Sequence, residues 1–380
     1  MPTKETTSHL TKDEGWSWVV LMAVSVAQLL ALGQVLSFGI FFVVLRDEFD
    51  CTRQAAALVG SLAFGVKCFS AAPASVAQRK YGCRRVVMTG GLLAALGLFL
   101  SYFATEIWHL YLSYGVLVGL GFGCTFVPSV GALPDYFEKY RFFATAFAPV
   151  GSAIGTFIFS PFYYYLIEEY TWRGAMIILS GVSLQITICG AVMKSRTKQK
   201  DLNWSNLMEK SLFKNKKFLL FVFDAFCFGG STYIVFTMAN SLAIKLGVTK
   251  AHSTHVVATM GLCNVAGRIM SACISTYPNL NRPFVFAMST VLCGISALLS
   301  TFCTVWWTLA MALGLYGLCF GAKVSQLGPV IIELFGVVKL VNGMGYFMFV
   351  TGISGVFGPW LAAMLYVAVQ LTVLAIDSSC

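Results

Sequence analysis

Charge is what this sequence has least of. Only 11% of its 380 residues are Asp, Glu, Lys or Arg, while 58% are apolar; a soluble domain averages about 25% charged residues. Most of the surface therefore does not face water, and the mean hydropathy of +0.78 agrees. Acids are the scarcer sign, 16 against 26 bases, for a net charge of +10. That excess does not describe a nucleic-acid binder, because the cations sit in short loops between apolar runs rather than on one basic face. The twelve cysteines include no CxxC pair and no Cys/His metal spacing, and most lie inside apolar runs as small hydrophobes. P-loop, nucleophile elbow and paired catalytic carboxylates are all missing. ATP-driven pumping and enzyme chemistry have no support, and no cofactor or metal is implied. The first apolar run, from Trp16, is too long for a cleavable signal.

What is present is a series of long apolar runs. About 20 residues span the hydrocarbon core as a helix. Runs of that kind occupy 17–45, 54–77, 84–105, 108–133, 141–166, 172–193, 218–244, 251–277, 283–303, 305–335 and 341–369. The fold class is an all-α polytopic membrane protein with about eleven visible spans. With the N-terminus in the cytoplasm, one side collects 18 of the 26 cations, including Arg79, Arg84 and eight between 194 and 217. The other side collects five, namely Arg46, Arg53, Arg173, Lys245 and Lys250. That asymmetry places the N-terminus inside. The chain divides into an N-terminal tail (1–16), six helices (17–193), a basic cytoplasmic linker (194–217), five further helices (218–369) and a short tail (370–380). Six helices, a linker and a second helical group form the layout of a two-halved transporter. A twelfth span is expected and missing, which suggests a truncated or spliced form.

Three cations fall well inside these runs: Lys67, Arg268 and Lys323. Lysine stems can snorkel toward an interface, but Lys67 and Lys323 lie ten or more residues from either end, roughly 15 Å at 1.5 Å per residue. Arg268, in CNVAGRIMSAC, keeps its proton and offers a planar fork suited to a carboxylate. Asn264, four residues earlier, shares its helix face and carries no charge. The embedded acids Asp224 and Glu333 sit near cytoplasmic helix ends, where they are expected to pair with loop cations. The midplane balance is thus positive, as a cavity for a small organic anion requires. The bland alternative pairs Arg268 with backbone carbonyls at a helix break.

Packing signals accompany the charges. Gly115, Gly119 and Gly123 repeat every four residues, as do Gly151 and Gly155, a spacing that permits close helix approach. Pro128, Pro149, Pro161, Pro329 and Pro359 break or kink helices. FYYYLIEEYTW (162–172) reads as an aromatic belt.

DEGWSW (13–18), with Asp13, Gly15, Trp16 and Trp18, resembles the first signature of the monocarboxylate transporters. YFEKYRFFATAFAPVGSAIG (136–155), with Tyr136, Phe137, Lys139, Arg141 and Gly151, is similar to the second. RRVVMTGG (84–91), HLYLSYGVLVGLGFG (109–123) and TWRGAMIILSG (171–181) also fall where that family has such stretches. The resemblance implies the major facilitator fold, two helical bundles rocking about a midplane site that passes small carboxylates. It further implies plasma-membrane location and a single-span glycoprotein chaperone. The family's helix-eight pair is Asp and Arg, here Asn264 and Arg268. The lysine of its first helix falls at Leu36, and an acid some relatives carry near Phe320 is missing. These departures argue against proton coupling, with Lys67 and Lys323 as replacements for the lost lysine.

Arg268, Asn264, Lys323 and Lys67 are accordingly the expected substrate-binding residues. The expected function is a secondary or facilitative carrier of small monocarboxylates or related metabolites, with the lipid bilayer as its surroundings. A proton-independent uniporter of a zwitterion such as creatine, carnitine or an aromatic amino acid is the second reading. A truncated non-transporting isoform is the third.

Overall fold

The structure, a computed structural model, describes residues 12–194, 214–245, 250–277 and 280–355. Among them it is helical, with no β-strand. Most of the N-terminal tail and of the 194–217 linker lie outside the described residues. So do everything beyond 355 and with it the question of a twelfth span.

The helices are α1 (Gly15–Leu36), α2 (Gly39–Glu48), α3 (Arg53–Tyr81), α4 (Cys83–Ser101) and α5 (Ile107–Tyr136). They continue with α6 (Arg141–Phe147), α7 (Val150–Val192), α8 (Lys216–Lys245), α9 (Lys250–Ile274), α10 (Arg282–Thr301), α11 (Trp306–Phe335) and α12 (Val337–Gly355). Among the described residues, eight stretches are long and apolar enough to cross a membrane. In lipid a backbone must satisfy its own polar groups, which is why such runs fold as helices. One stretch, Arg141–Val192, has 52 residues and is broken at Thr171, where φ is 62°. Its first part packs alongside α1 in the same direction, with Gly151 on Ser25 and Gly155 on Leu29. Its second part runs back along α4, where Ser180 Oγ donates to the Ala95 carbonyl at 2.8 Å and Thr187 faces Met88. The stretch is therefore two antiparallel crossings, as the 166–172 boundary in the sequence suggests.

Glycine spacing sets how closely these helices approach. A Cβ on Gly151 would lie 1.8 Å from the Ser25 carbonyl oxygen, so no side chain fits the crossing of α1 and α7. Gly115, Gly119 and Gly123 do the same for α5 against α3, facing Leu62, Ala63 and Ser70 in turn. Pro73, Pro128, Pro161 and Pro329 stand inside helices.

Two groups of helices result, one within residues 15–192 and one within 216–355. They meet where α6 and α7 pack on α9 and α11, and where α3 packs on α12. Phe69 and Phe349 are 5.4 Å apart across the second contact, and Arg79 Nη2 donates to the Val338 carbonyl at 2.7 Å. The break between α6 and α7, around Ala148 and Pro149, lies on the first contact and opens a helix terminus there.

Candidate functional site: buried cations between the helix groups

Arg268 projects from α9 into that terminus and is 1% exposed. Its Nε donates to Asn264 Oδ1 at 2.9 Å. Its Nη1 donates to Ser152 Oγ at 2.5 Å and also to the Pro149 carbonyl. Pro149 is the N-cap of α7, and its carbonyl also accepts the Ser152 N–H at 3.0 Å and Ser152 Oγ at 2.8 Å, so Arg268 joins an oxygen already bonded within the first turn. Every acceptor is neutral. The carbonyl at a helix break, named above as the bland alternative, is present, yet it leaves the guanidinium charge uncancelled. Asn264 is held beside it by close approach of α9 to α11, where a Cβ on Gly321 would lie 2.2 Å from the Asn264 carbonyl.

Lys67 stands in the middle of α3 and is 4% exposed. Its Nζ rests over the rings of Phe126 at 5.1 Å and Phe64 at 5.4 Å. Such cation–π contacts are worth up to about 2 kcal/mol when desolvated, which offsets part of the burial. Among the described residues Lys67 has no ion pair.

Lys323, on α11, is different. Its Nζ binds Asp224 Oδ1 of α8 at 2.8 Å and lies 3.9 Å from the Phe228 ring centre. This corrects the expectation that Asp224 pairs with a loop cation: its partner is the buried lysine, 99 residues away in the chain. The Asp224 Oδ2 atom is buried without a partner among the described residues. Glu333 does take a loop cation, Arg282, at 3.0 Å. Arg282 also lies 3.6 Å from the Phe142 ring centre of α6, so it bridges the two helix groups. Leu36, where the resemblance puts a lysine, is 43% exposed at the end of α1.

The two signatures meet at the opposite end of α1 from Leu36. Asp13 adopts φ 64°, a left-handed conformation that Asp tolerates better than most residues. Its carboxylate accepts the backbone N–H groups of Lys139 at 3.0 Å, Glu138 at 3.2 Å and Tyr140 at 3.3 Å. Burial pushes this carboxyl up, but those three donors and the nearby Lys12 outweigh it and hold the group below its ordinary value of 3.8. Lys12 also pairs with Glu138 at 2.8 Å and, through that hydrogen bond, lowers the Glu138 carboxyl. Asp13 N–H and Ser17 Oγ both donate to the Tyr136 carbonyl. Trp18 lies 5.3 Å from Phe137 and 5.8 Å from Tyr140. Arg141 Nε donates to the Glu138 carbonyl, the Tyr136 hydroxyl donates to the Lys194 carbonyl, and Lys194 sits over Trp16.

The sequence therefore places the charges but not their neighbours. Ser152, Pro149, Phe64 and Phe126 carry no signal that separates them from other helix residues, apart from the proline that ends α6. Among the described residues no cluster of His, Cys, Asp or Glu is placed to hold a metal.

Residues 24–359 match the Major Facilitator Superfamily model. Similar curated proteins include monocarboxylate transporter 13 of Rattus norvegicus, 29% identical over 93% of this chain and 83% of that protein. Monocarboxylate transporter 11 of Mus musculus is 28% identical over 93% and 82%. Among solved structures, the E. coli fucose:proton symporter FucP superposes with a TM-score of 0.74 at 18% identity, covering 94% of each chain. The human organic anion transporter MFSD10 gives 0.72 at 12%, covering 93% of this chain and 94% of that one. A helical membrane bundle with two interlocked signatures and a neutral-clasped arginine between its helix groups thus meets a family match over most of its length: the chain belongs to the Major Facilitator Superfamily and, within it, to the monocarboxylate transporter family.

Proposed function

We propose that this transporter moves small carboxylate-bearing metabolites, monocarboxylates among them, by alternating access about Arg268. The observation that carries this reading is the Arg268 guanidinium, buried where the helix groups meet and, among the described residues, bonded only to neutral acceptors. A permanent charge in that setting costs several kcal/mol, and a substrate carboxylate would supply what the fold does not. Its acceptors come from both groups, Asn264 from one and Pro149 and Ser152 from the other. Rocking would therefore part Arg268 from one set of partners, and the substrate would bridge the change. The similar human structure is itself described as an organic anion transporter.

In this reading 17–193 and 218–369 are the two moving bundles and 194–217 is their basic linker. The N-terminus is cytoplasmic on the cation asymmetry, the protein works in the plasma membrane, and a single-span glycoprotein assists its delivery. The test is uptake of labelled lactate and pyruvate in cells expressing the chain. Arg268→Ala reduces uptake to background, and Arg268→Lys leaves a small fraction because an ammonium cannot fork. Parental rates in both variants at equal surface level would sink the reading.

Asn264 favours a second reading, proton-independent movement of a zwitterion such as creatine, carnitine or an aromatic amino acid. Its amide fills the place beside Arg268 and does not change charge with pH. Uptake that rises steeply with an inward proton gradient would argue against it.

A further inference from the structure

Beyond Arg268, α9 and α11 bury a run of uncharged polar side chains. Ser271 and Ser275 follow Arg268 at three and seven residues, on the same face of α9, and are 2% and 1% exposed. Gln326 of α11 donates from Nε2 to Ser275 Oγ at 2.8 Å and to Ser271 Oγ at 3.0 Å. The run ends at Arg282, whose Nη2 donates to the Ser275 carbonyl at 3.2 Å and whose Nη1 pairs with Glu333. Polar side chains between membrane helices serve as glue, but glue alone leaves no group idle. Here Gln326 Oε1, Ser325 Oγ and Arg282 Nε are buried without a partner among the described residues. Such atoms are costly unless something polar reaches them.

The run also has a cover. α6, from the other helix group, packs on both α9 and α11, and the chain there touches them at three levels. The ring centre of Phe142 lies 3.6 Å from Arg282 Cζ. Thr145 faces Gly328, where an added Cβ would come within 3.1 Å of the Thr145 Cβ. Just past α6, Pro149 and Ser152 accept from Arg268. Ser325 stands four residues after Gly321, which faces Asn264 and the Arg268 backbone, and three before Gly328. It therefore shares the face that α6 covers.

We propose that this polar run is one end of the substrate path, leading from Arg268 to Arg282, and that α6 is the cover that closes it. This rests on the reading of Arg268 as the substrate's charge partner and extends it to a route. From Arg268 to Ser275 the run spans about 10 Å of helix. When α6 lifts away with its group, the Phe142 ring leaves Arg282 and the idle atoms meet water. A carboxylate held at Arg268 then has a polar way out.

The experiment is thiol labelling of Ser325→Cys in the purified full chain in lipid nanodiscs, with a charged maleimide and no substrate. The change breaks no hydrogen bond of Ser325 Oγ to a described residue. The tryptic peptide 324–339 holds no native cysteine and so reports the new thiol alone. Labelling runs at least about tenfold slower than in the urea-unfolded chain, because the cover opens only transiently. Adding Phe142→Leu keeps the apolar bulk but removes the ring over Arg282. It speeds labelling about tenfold, the population shift that a desolvated cation–π contact controls. Phe142→Tyr keeps the ring and stays within about twofold of the Ser325→Cys rate. Cys83, buried in the first helix group, stays unlabelled, which separates a lifted cover from an unfolded chain. Labelling at the unfolded rate before Phe142 is changed, a rate that Phe142→Leu leaves where it was, or a gain shared by Cys83 overturns the proposal. No arm contains substrate, so the carboxylate reading falls only with the uptake of the Arg268 variants.

Discussion

Two of the buried cations among the described residues, Lys323 and Arg268, are housed on opposite principles. At Lys323 the fold brings an acid: Asp224 on α8 binds the ammonium at 2.8 Å, and Phe228 covers it. At Arg268 the described residues bring only neutral oxygens. The first site is balanced within one group of helices. The second is unbalanced and sits between groups. A charge pair inside a rigid group can stay closed through a transport cycle, whereas charge at a moving junction can be left for a ligand to complete.

The sharpest way to break this contrast is to remove the charge at each site and compare stability with transport. Arg268→Ala abolishes uptake of labelled carboxylates while the protein still folds, since its neutral partners lose no ion pair. Asp224→Ala does the reverse: it strands Lys323 and costs about 3–5 kcal/mol of stability, as removal of one member of a buried pair does. Thermal unfolding in detergent reads this, and the double change Asp224→Leu with Lys323→Met recovers most of the loss. Equal effects of Arg268→Ala and Asp224→Ala on stability would erase the distinction. Gly151→Ala comes next. Its new methyl meets the Ser25 carbonyl and forces α1 from α7 at a cost of about 1–3 kcal/mol, lowering both Tm and uptake.

The smallest effect is at the signature clasp. The native state favours ionised Asp13, whose value is depressed below 3.8. The clasp's contribution is therefore present above the ordinary carboxylate range and lost as pH falls through the depressed value. Hydrogen exchange at the Lys139 amide speeds up there, and Asp13→Asn shows the faster exchange already at neutral pH.

Much of this was legible from the residues. Apolar runs of about 20 positions fix the spans, and the four-residue glycine spacing marks the crossings of α1 with α7 and of α3 with α5. DEGWSW and YFEKYRFF identify the family, although nothing in either stretch says that Asp13 caps the backbone of 138–140. The pairing of Glu333 with a loop cation followed from its position. That of Asp224 did not, because its lysine lies on a helix 99 residues further on.

The sequence by itself determined that the chain crosses a membrane repeatedly, where its helices lie and which charges they must bury. Those are local matters, settled within a few turns by backbone hydrogen bonding and hydropathy. Only the tertiary structure decided which buried charge finds an acid and which does not. The reason is geometric: a hydrogen bond or ion pair forms within about 3 Å, and Arg268 reaches Ser152, 116 residues away in the chain, only because α9 packs against the start of α7.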